Sequence, residues 1–434
     1  MGSVDSFERV FWCKDAPPAP SFPALTGELK CDVVIIGAGI MGLSCALALR
    51  EHGVDVVVLE ANEPGVGASG RNGGLVVPSM PRLGPSDALR LLGPDYGARL
   101  LAMVADSAQH VFELISRYGL RCDAVQRGWL NPAHAAEMVP ALQLRAHDWA
   151  RAGSRAVWVP RDEAVCRIGS SQFHGALFDP SGGHLNPLAY TRELARVAAS
   201  LGARIYGNSP VSAVTGAAGQ WRVASAQGTI SARVLLQCTN AMRLPGAAPL
   251  APRVDRSFVP LGVYELATAP LQDAVKKTLL PGDEALSDSR NNLFACCRTV
   301  DHRLVTGGMA PVTHLGAEGR LRRALGRRLQ RIFPQLGPVS FDYVWRGTAA
   351  LTPDFLPRLL TVAEGWYAPL GCNGRGIAMS TSLGRRLADY LATSDATDLP
   401  IPTGQPLPIA LHSVARYVPQ MLLPLGILQD RLRK

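Results

Sequence analysis

The chain has 434 residues, 47% hydrophobic and 18% charged, with 43 glycines, 33 prolines and a formal net charge of +9. That length anticipates two or three domains, and the apolar fraction excludes wholesale disorder. No stretch reaches the ~18 uninterrupted apolar residues of a membrane-spanning helix; the nearest, Cys31 to Leu59, is broken by glycines and by Arg50, Glu51, His52 and Asp55.

Residues 1–30 read as a lead-in, kept extended by Pro17, Pro18, Pro20 and Pro23. Its opening, Met1-Gly2-Ser3-Val4-Asp5-Ser6, matches the loose myristoylation pattern, a match short enough to arise by chance. No charged-then-apolar signal segment is present there. Val33 to Ile36 then forms a β-branched run, Ile40 to Glu51 a helix ended by Gly53, and Val54 to Leu59 a second strand. Strand, helix and strand make a βαβ unit.

Helical pattern follows over Asp87 to Tyr118 and Glu137 to Ala152, and a helix over Tyr190 to Leu201 precedes a strand over Arg204 to Tyr206. Trp221 to Ala224 and Thr229 to Leu236 read as a hairpin feeding a buried strand. Residues 258–310 alternate like antiparallel strands, interrupted over 271–280. In Arg320 to Arg331 a stripe of Leu321, Leu325, Leu329 and Ile332 predicts a helix whose arginines form a wet face. A strand, loop and helix run from Trp366 to Leu391. The fold class expected is α/β (α+β overall), a doubly wound domain interleaved with a largely antiparallel one.

The charge alone assigns no partner. It is mostly arginine, with lysine only at Lys14, Lys30, Lys276, Lys277 and Lys434, and no signature of a nucleic-acid-binding domain accompanies it. The 9 cysteines lack the regular spacing of a disulfide framework or zinc site. Reduced thiols in a cytoplasm fit best, and no metal is expected.

The turn after the first strand is Gly37-Ala38-Gly39-Ile40-Met41-Gly42, and Glu60 with Ala61 follows the second. A glycine fingerprint in that context predicts dinucleotide binding. The pyrophosphate would lie at the helix N-terminus, and Glu60 would accept hydrogen bonds from ribose hydroxyls. A second glycine-rich loop, Gly65-Val66-Gly67-Ala68-Ser69-Gly70-Arg71-Asn72-Gly73-Gly74, comes directly afterwards. A nicotinamide enzyme has no need of it, whereas a flavin needs close backbone approach and donors such as Ser69, Arg71 and Asn72.

With these loops the sequence resembles the FAD-dependent D-amino acid oxidase superfamily, in its branch similar to gamma-glutamylputrescine oxidase. The resemblance extends through Gly183-His184-Leu185-Asn186-Pro187, Pro210-Val211 and Thr239-Asn240-Ala241. It continues through Arg298 with Asp301-His302-Arg303, Trp345-Arg346-Gly347 and Gly371-Cys372-Asn373-Gly374-Arg375-Gly376-Ile377-Ala378. It implies FAD-binding segments over 1–80, 180–245 and 345–434, and a substrate-binding part over 81–179 and 246–344. It also implies that Val211 contacts the adenine side, that Thr239 lies in the cofactor site, and that Gly371 to Ala378 closes over the flavin, with Arg375 adding positive charge. The catalytic residues expected are His184, Arg298, Trp345 and Arg346, with a structural role equally open for His184.

The departures are informative. Amino-acid oxidases of this superfamily place a carboxylate-clamping arginine two residues after the glycine of the Trp-x-Gly element, where this chain has Ala349; this tilts the reading toward amines unless Arg71, Arg298 or Arg346 substitutes. Gly347 stands where sarcosine-oxidase-like relatives attach flavin through cysteine, so noncovalent FAD is expected. Cys296 and Cys297 replace common aromatics, which either widens the pocket or packs a strand core. The reading is an oxidase of a primary or secondary amine: hydride passes from the α-carbon to flavin N5, an imine leaves, and O2 becomes H2O2. The alternative is an amino-acid dehydrogenase passing electrons to a quinone. The segment Ile409 to Leu432 is compatible with lying on a bilayer, although docking on the chain's own FAD domain is favoured.

Overall fold

The computed structural model describes residues 6–309 and 316–433, so the myristoylation match at 1–5 lies outside the described residues. Val33 to Ile36 ends the ten-residue strand Gly27–Ile36. Alternation sends Val33 and Ile35 into one core and Val34 and Ile36 into another. A strand buried on both faces has no position for a polar side chain, which is the origin of the continuous apolar run.

This strand pairs in parallel with Val56–Leu59 and with Gly228–Gln237. Arg204–Tyr206 and Trp366–Leu370 extend the parallel array on its two sides. Arg358–Ala363 and Thr403–Gly404 complete one edge, and the hairpin of Ala213–Ala217 and Gln220–Ala224 attaches to Gly228–Gln237. Helices Ile40–Glu51, Pro187–Ser200 and Gly376–Thr393 share the core of Val33 and Ile35. The opposite face is covered by the hairpin, whose Trp221 packs edge-on against Trp366 at 5.3 Å between ring centroids.

A second sheet has the strand order Phe341–Leu351, Val259–Thr268, Leu304–Met309, Ala295–Arg298, Ala285–Ser287, Trp129–Pro132, Ala176–Asp179, Val157–Val159. It is antiparallel except where Ala285–Ser287 meets Trp129–Pro132. Its outer face packs Tyr264, Leu266, Cys296 and Val344 with helix Ala317–Ile332. Its inner face packs Ala267, Cys297, Val305 and Trp345 on Phe11, Trp12 and Leu188. The chain thus alternates between the sheets, and Phe341–Leu351, which spans position 345, belongs to the second.

Three local expectations change. The lead-in is not simply extended: Phe7–Arg9 and Phe11–Cys13 are 3-10 turns that bury Phe11 and Trp12. Helix Pro85–Tyr118 is interrupted at Gly93, φ 77°, because Pro94 lacks an N–H and clashes with the preceding turn. Helix Ala317–Ile332 buries Leu325, Leu329 and Ile332, but its arginine face is not all wet. Arg328 donates to the carbonyls of Asn292 and Leu293 at 2.5 and 3.2 Å, and burial pushes its pKa down to about 10. All nine cysteines are free. Among the described residues no helix is long and apolar enough to cross a membrane, and no metal-ligating cluster occurs.

Candidate active site

Two glycines of the fingerprint are set by close approach. A Cβ on Gly42 would lie 2.2 Å from Gly37 O, so only hydrogen lets the helix sit this close to the strand. A Cβ on Gly39, the residue capping helix Ile40–Glu51, would lie 2.8 Å from Ser69 Oγ. Ser69 Oγ accepts the Ile40 N–H at 3.0 Å, which docks the second glycine loop on the helix start. Glu60 closes the other end: its carboxylate accepts the N–H groups of Ala38 at 2.8 Å and Asn62 at 3.0 Å. Burial raises the Glu60 pKa, and these backbone donors pull the other way.

The loop is self-braced and clamped from below. Asn72 donates to Ser69 O at 2.9 Å and accepts the Gly74 N–H at 2.9 Å. Arg71 donates to Val66 O at 2.8 Å and Arg346 O at 3.1 Å, with its guanidinium 5.2 Å from the Phe7 ring centroid. Trp345 donates to Arg71 O and Trp12 to Asn72 O, both at 2.8 Å.

Over this framework lies a cleft of about 1320 Å³. Its lining includes Gly37, Gly39, Ile40 and Met41 of the fingerprint, then Glu60 and Ala61, and Ser69, Arg71 and Asn72 of the loop. Val211, Thr239, Arg346, Gly371, Gly374 and Gly376 also reach it. The remaining expected residues do not line it. Gly42 packs behind the turn, and Gly73 offers its carbonyl to Cys297 Sγ at 3.4 Å. Asn373 is buried, its Oδ1 accepting the Thr352 N–H at 2.8 Å, so it braces the turn from inside. Ile377 and Ala378 belong to the helical core. Arg375 points to the second sheet, with its guanidinium 5.4 Å from the Trp129 ring centroid and 3.3 Å from Ser287 Oγ, rather than into the cleft.

His184 and Arg298 also gather elsewhere, around Asp283. Arg298 Nε donates to Asp283 Oδ1 at 3.0 Å, and His184 Nε2 lies 3.5 Å from the same oxygen. Burial opposes the Asp283 charge, but these two neighbours outweigh it and hold the carboxyl below its usual range. Trp345 is fully buried beneath the loop. Cys296 and Cys297 are core residues on opposite faces of the strand, and burial raises both thiols.

Sequence reasoning missed several contributors. Residues 242–250, beyond the anticipated Thr239-Asn240-Ala241, supply much of the cleft wall, among them Met242 and Leu250, and 409–420, expected only to dock on the FAD domain, adds Leu411, His412 and Tyr417. Neither stretch carries a local signal. Glu265 did have one, a lone carboxylate in the apolar run Val263-Tyr264-Glu265-Leu266-Ala267. It pairs across strands with Trp345 and Gly307 and reaches under the flavin-type loop, where a Cβ on Gly73 would be 3.3 Å from its Oε2. Desolvation pushes its pKa up to about 8, and no charged neighbour offsets this.

The cleft exceeds the roughly 300–1,000 Å³ of a drug-sized site and joins a ribose-type acid, a helix N-terminus and a glycine loop. The DAO family, described as FAD dependent oxidoreductase, matches residues 32–390. The chain belongs to this family.

The DAO chain is 30% identical over 419 residues to gamma-glutamylputrescine oxidoreductase of Escherichia coli (strain K12), covering 94% of this chain and 96% of that one. It is 24% identical to a glycine oxidase of Geobacillus kaustophilus (strain HTA426), covering 83% and 93%. The fold matches that of L-proline dehydrogenase from P. horikoshii, with a TM-score of 0.70, 19% identity and coverage of 86% and 95%. The chain is therefore an FAD-dependent oxidoreductase of the amine and amino-acid oxidase type. The residues present fit that cofactor. The fingerprint cradle has no room for a Cβ at Gly39, and Gln237, on the cleft wall, keeps a buried Oε1 with no hydrogen-bond partner.

Proposed function

We propose that this DAO-family chain oxidises a primary or secondary amine and holds FAD noncovalently. The observation that carries the reading is Ala349, on the cleft wall beside Gly347 and Thr348, where an α-carboxylate would require a bidentate guanidinium. Arg298, one arginine able to substitute for it, is engaged with Asp283. The name of the Escherichia coli relative, that of an amine's oxidoreductase, points the same way.

Glu60 would hold the ribose, the N-terminus of Ile40–Glu51 the pyrophosphate, Val211 the adenine side, and the 65–74 loop with the 371–376 turn the ring system. Bound there, FAD supplies the two-electron acceptor for the amine's α-C–H, with an imine as product and O2 reduced to H2O2. The protein contributes orientation and desolvation. An amine moved from water onto the apolar wall loses its proton more readily, so the nitrogen is neutral when its α-C–H is positioned.

The purified flavoprotein is mixed anaerobically with amines and with amino acids. Amines bleach the flavin and simple α-amino acids do so far more slowly. The reverse preference overturns the substrate class, and a protein that neither carries nor takes up FAD overturns the whole reading. One observation favours a quinone as the electron acceptor instead: the cleft mouth is bordered by exposed apolar residues such as Leu411. Reoxidation rates with O2 and with quinone analogues separate the two. The nine free thiols fit a reducing compartment such as the cytoplasm.

A further inference from the structure

The C-terminal helix Val418–Leu432 has no buried residue. Val418, Met421, Leu422, Leu425, Leu428 and Leu432 recur at three- and four-residue spacing and so form one stripe, each between 42% and 69% exposed. A surface helix ordinarily turns such a stripe inward. Here the polar side is the one held by the body. Asp430 accepts the N–H groups of Asn291 at 2.8 Å and Asn292 at 2.9 Å, Gln429 accepts from Asn291 Nδ2 at 3.3 Å, and Gly426 lies against Asn291. The expectation for 409–432 is docking on the chain's own FAD domain; Leu411, His412 and Tyr417 reach the cleft wall, whereas the stripe of the helix stays exposed.

The charges around the stripe are one-sided. Arg416 precedes it and Arg431 lies within its last turn, both exposed. Asp430 is the one acidic residue of the sequence beyond position 400, and it is turned inward. A two-fold contact of this face with a second copy would set each arginine near like charge, with no acid to neutralise it. A layer of anionic headgroups over an apolar interior answers both features.

We propose that the helix Val418–Leu432 seats this protein on an anionic lipid surface, its leucine stripe at the acyl boundary and Arg416 and Arg431 among the headgroup phosphates. The segment just before the helix is tied to the body through Ile409 N–H to Arg256 O at 2.7 Å and His412 Nε2 to Phe258 O at 2.8 Å. Leu411, Arg416 and Tyr417 also line the cofactor cleft. Docking therefore brings the mouth of the cleft to the membrane face.

The test uses the full chain loaded with FAD and vesicles of phosphatidylcholine, alone or mixed with phosphatidylglycerol, read by flotation. The protein floats with the mixed vesicles and stays in solution with phosphatidylcholine alone. The double variant L422D/L425D lowers the floated fraction about tenfold, and R431E moves its loss to lower salt. Both leucines are exposed, so the thermal melt of the double variant matches that of the parent. Three results would overturn the proposal. The parent fails to float with either vesicle, or the double variant floats as well as the parent, or light scattering shows a dimer that the double variant dissolves while lipid binding is absent. Flotation does not depend on amine turnover, so it stands or fails apart from the substrate assignment.

Discussion

Glu265 shows how one side chain couples pH to both stability and cofactor chemistry. Its pKa is raised from 4.5 to about 8 by burial, so between those values the native state binds a proton that the unfolded chain has released. Stability is therefore fully present below the window and falls as pH rises through it. Glu265→Gln removes this slope, and at pH 9 the variant is more stable by about 1–3 kcal/mol, read from urea unfolding at several pH values. Ionised, the same carboxylate puts negative charge under the 65–74 loop, the proposed seat of the flavin ring, and would oppose electron uptake there. The parent's anaerobic bleaching by amine consequently slows as pH passes about 8 relative to the variant's. At Gly39 the constraint is steric. Gly39→Ala brings a methyl group within 2.8 Å of Ser69 Oγ, and FAD affinity drops about tenfold, measured by flavin retention on ultrafiltration. Gly39 could be placed at the cleft from sequence because turn, helix and Glu60 lie within one βαβ unit. The environment of Glu265 could not, because its neighbours Gly73, Gly307 and Trp345 come from three distant segments.

Among elements, the lead-in contributes most beyond expectation. Phe11 stacks on Trp345 and Trp12 meets it edge-on, with centroids 6.4 and 6.3 Å from it, and the two tryptophans together carry the underside of the 65–74 loop. Trp12→Ala removes a buried ring and a loop hydrogen bond. It costs about 3–5 kcal/mol and releases FAD at lower urea than the unfolding of the sheets, followed by flavin fluorescence against circular dichroism. Prolines in 17–23 made this region read as extended, and that reading stops short of Trp12. Strands Gly27–Ile36, Val56–Leu59 and Gly228–Gln237 and helix Ile40–Glu51 were readable because each carries its own pattern, whereas the edge strands Ala213–Ala217, Arg358–Ala363 and Thr403–Gly404 were not. The 242–250 and 409–420 walls of the cleft carry no such pattern, and tertiary placement alone brings them there.

For the whole molecule, the two sheets share one fate. The chain passes between them repeatedly, and the inner face of the second packs on the lead-in and on Leu188 of helix Pro187–Ser200. Heating gives one cooperative transition, and FAD at a hundredfold excess over its Kd stabilises it by about 2.7 kcal/mol; two resolved calorimetric peaks would contradict this. The same interleaving bears on how the protein is made. The fingerprint and Glu60 emerge early from a ribosome, but Gly371, Gly374 and Tyr417, which finish the cleft, emerge last. At about 5–20 residues per second the interval is roughly 20–70 s. During it the four-residue apolar run at 33–36 has Val56–Leu59 beside it but first lacks its other neighbour, Gly228–Gln237, which in turn waits for Trp366–Leu370. Cofactor capture is thus a late event in biogenesis, and a chain stalled before Gly228–Gln237 presents an open, sticky half-sheet to chaperones.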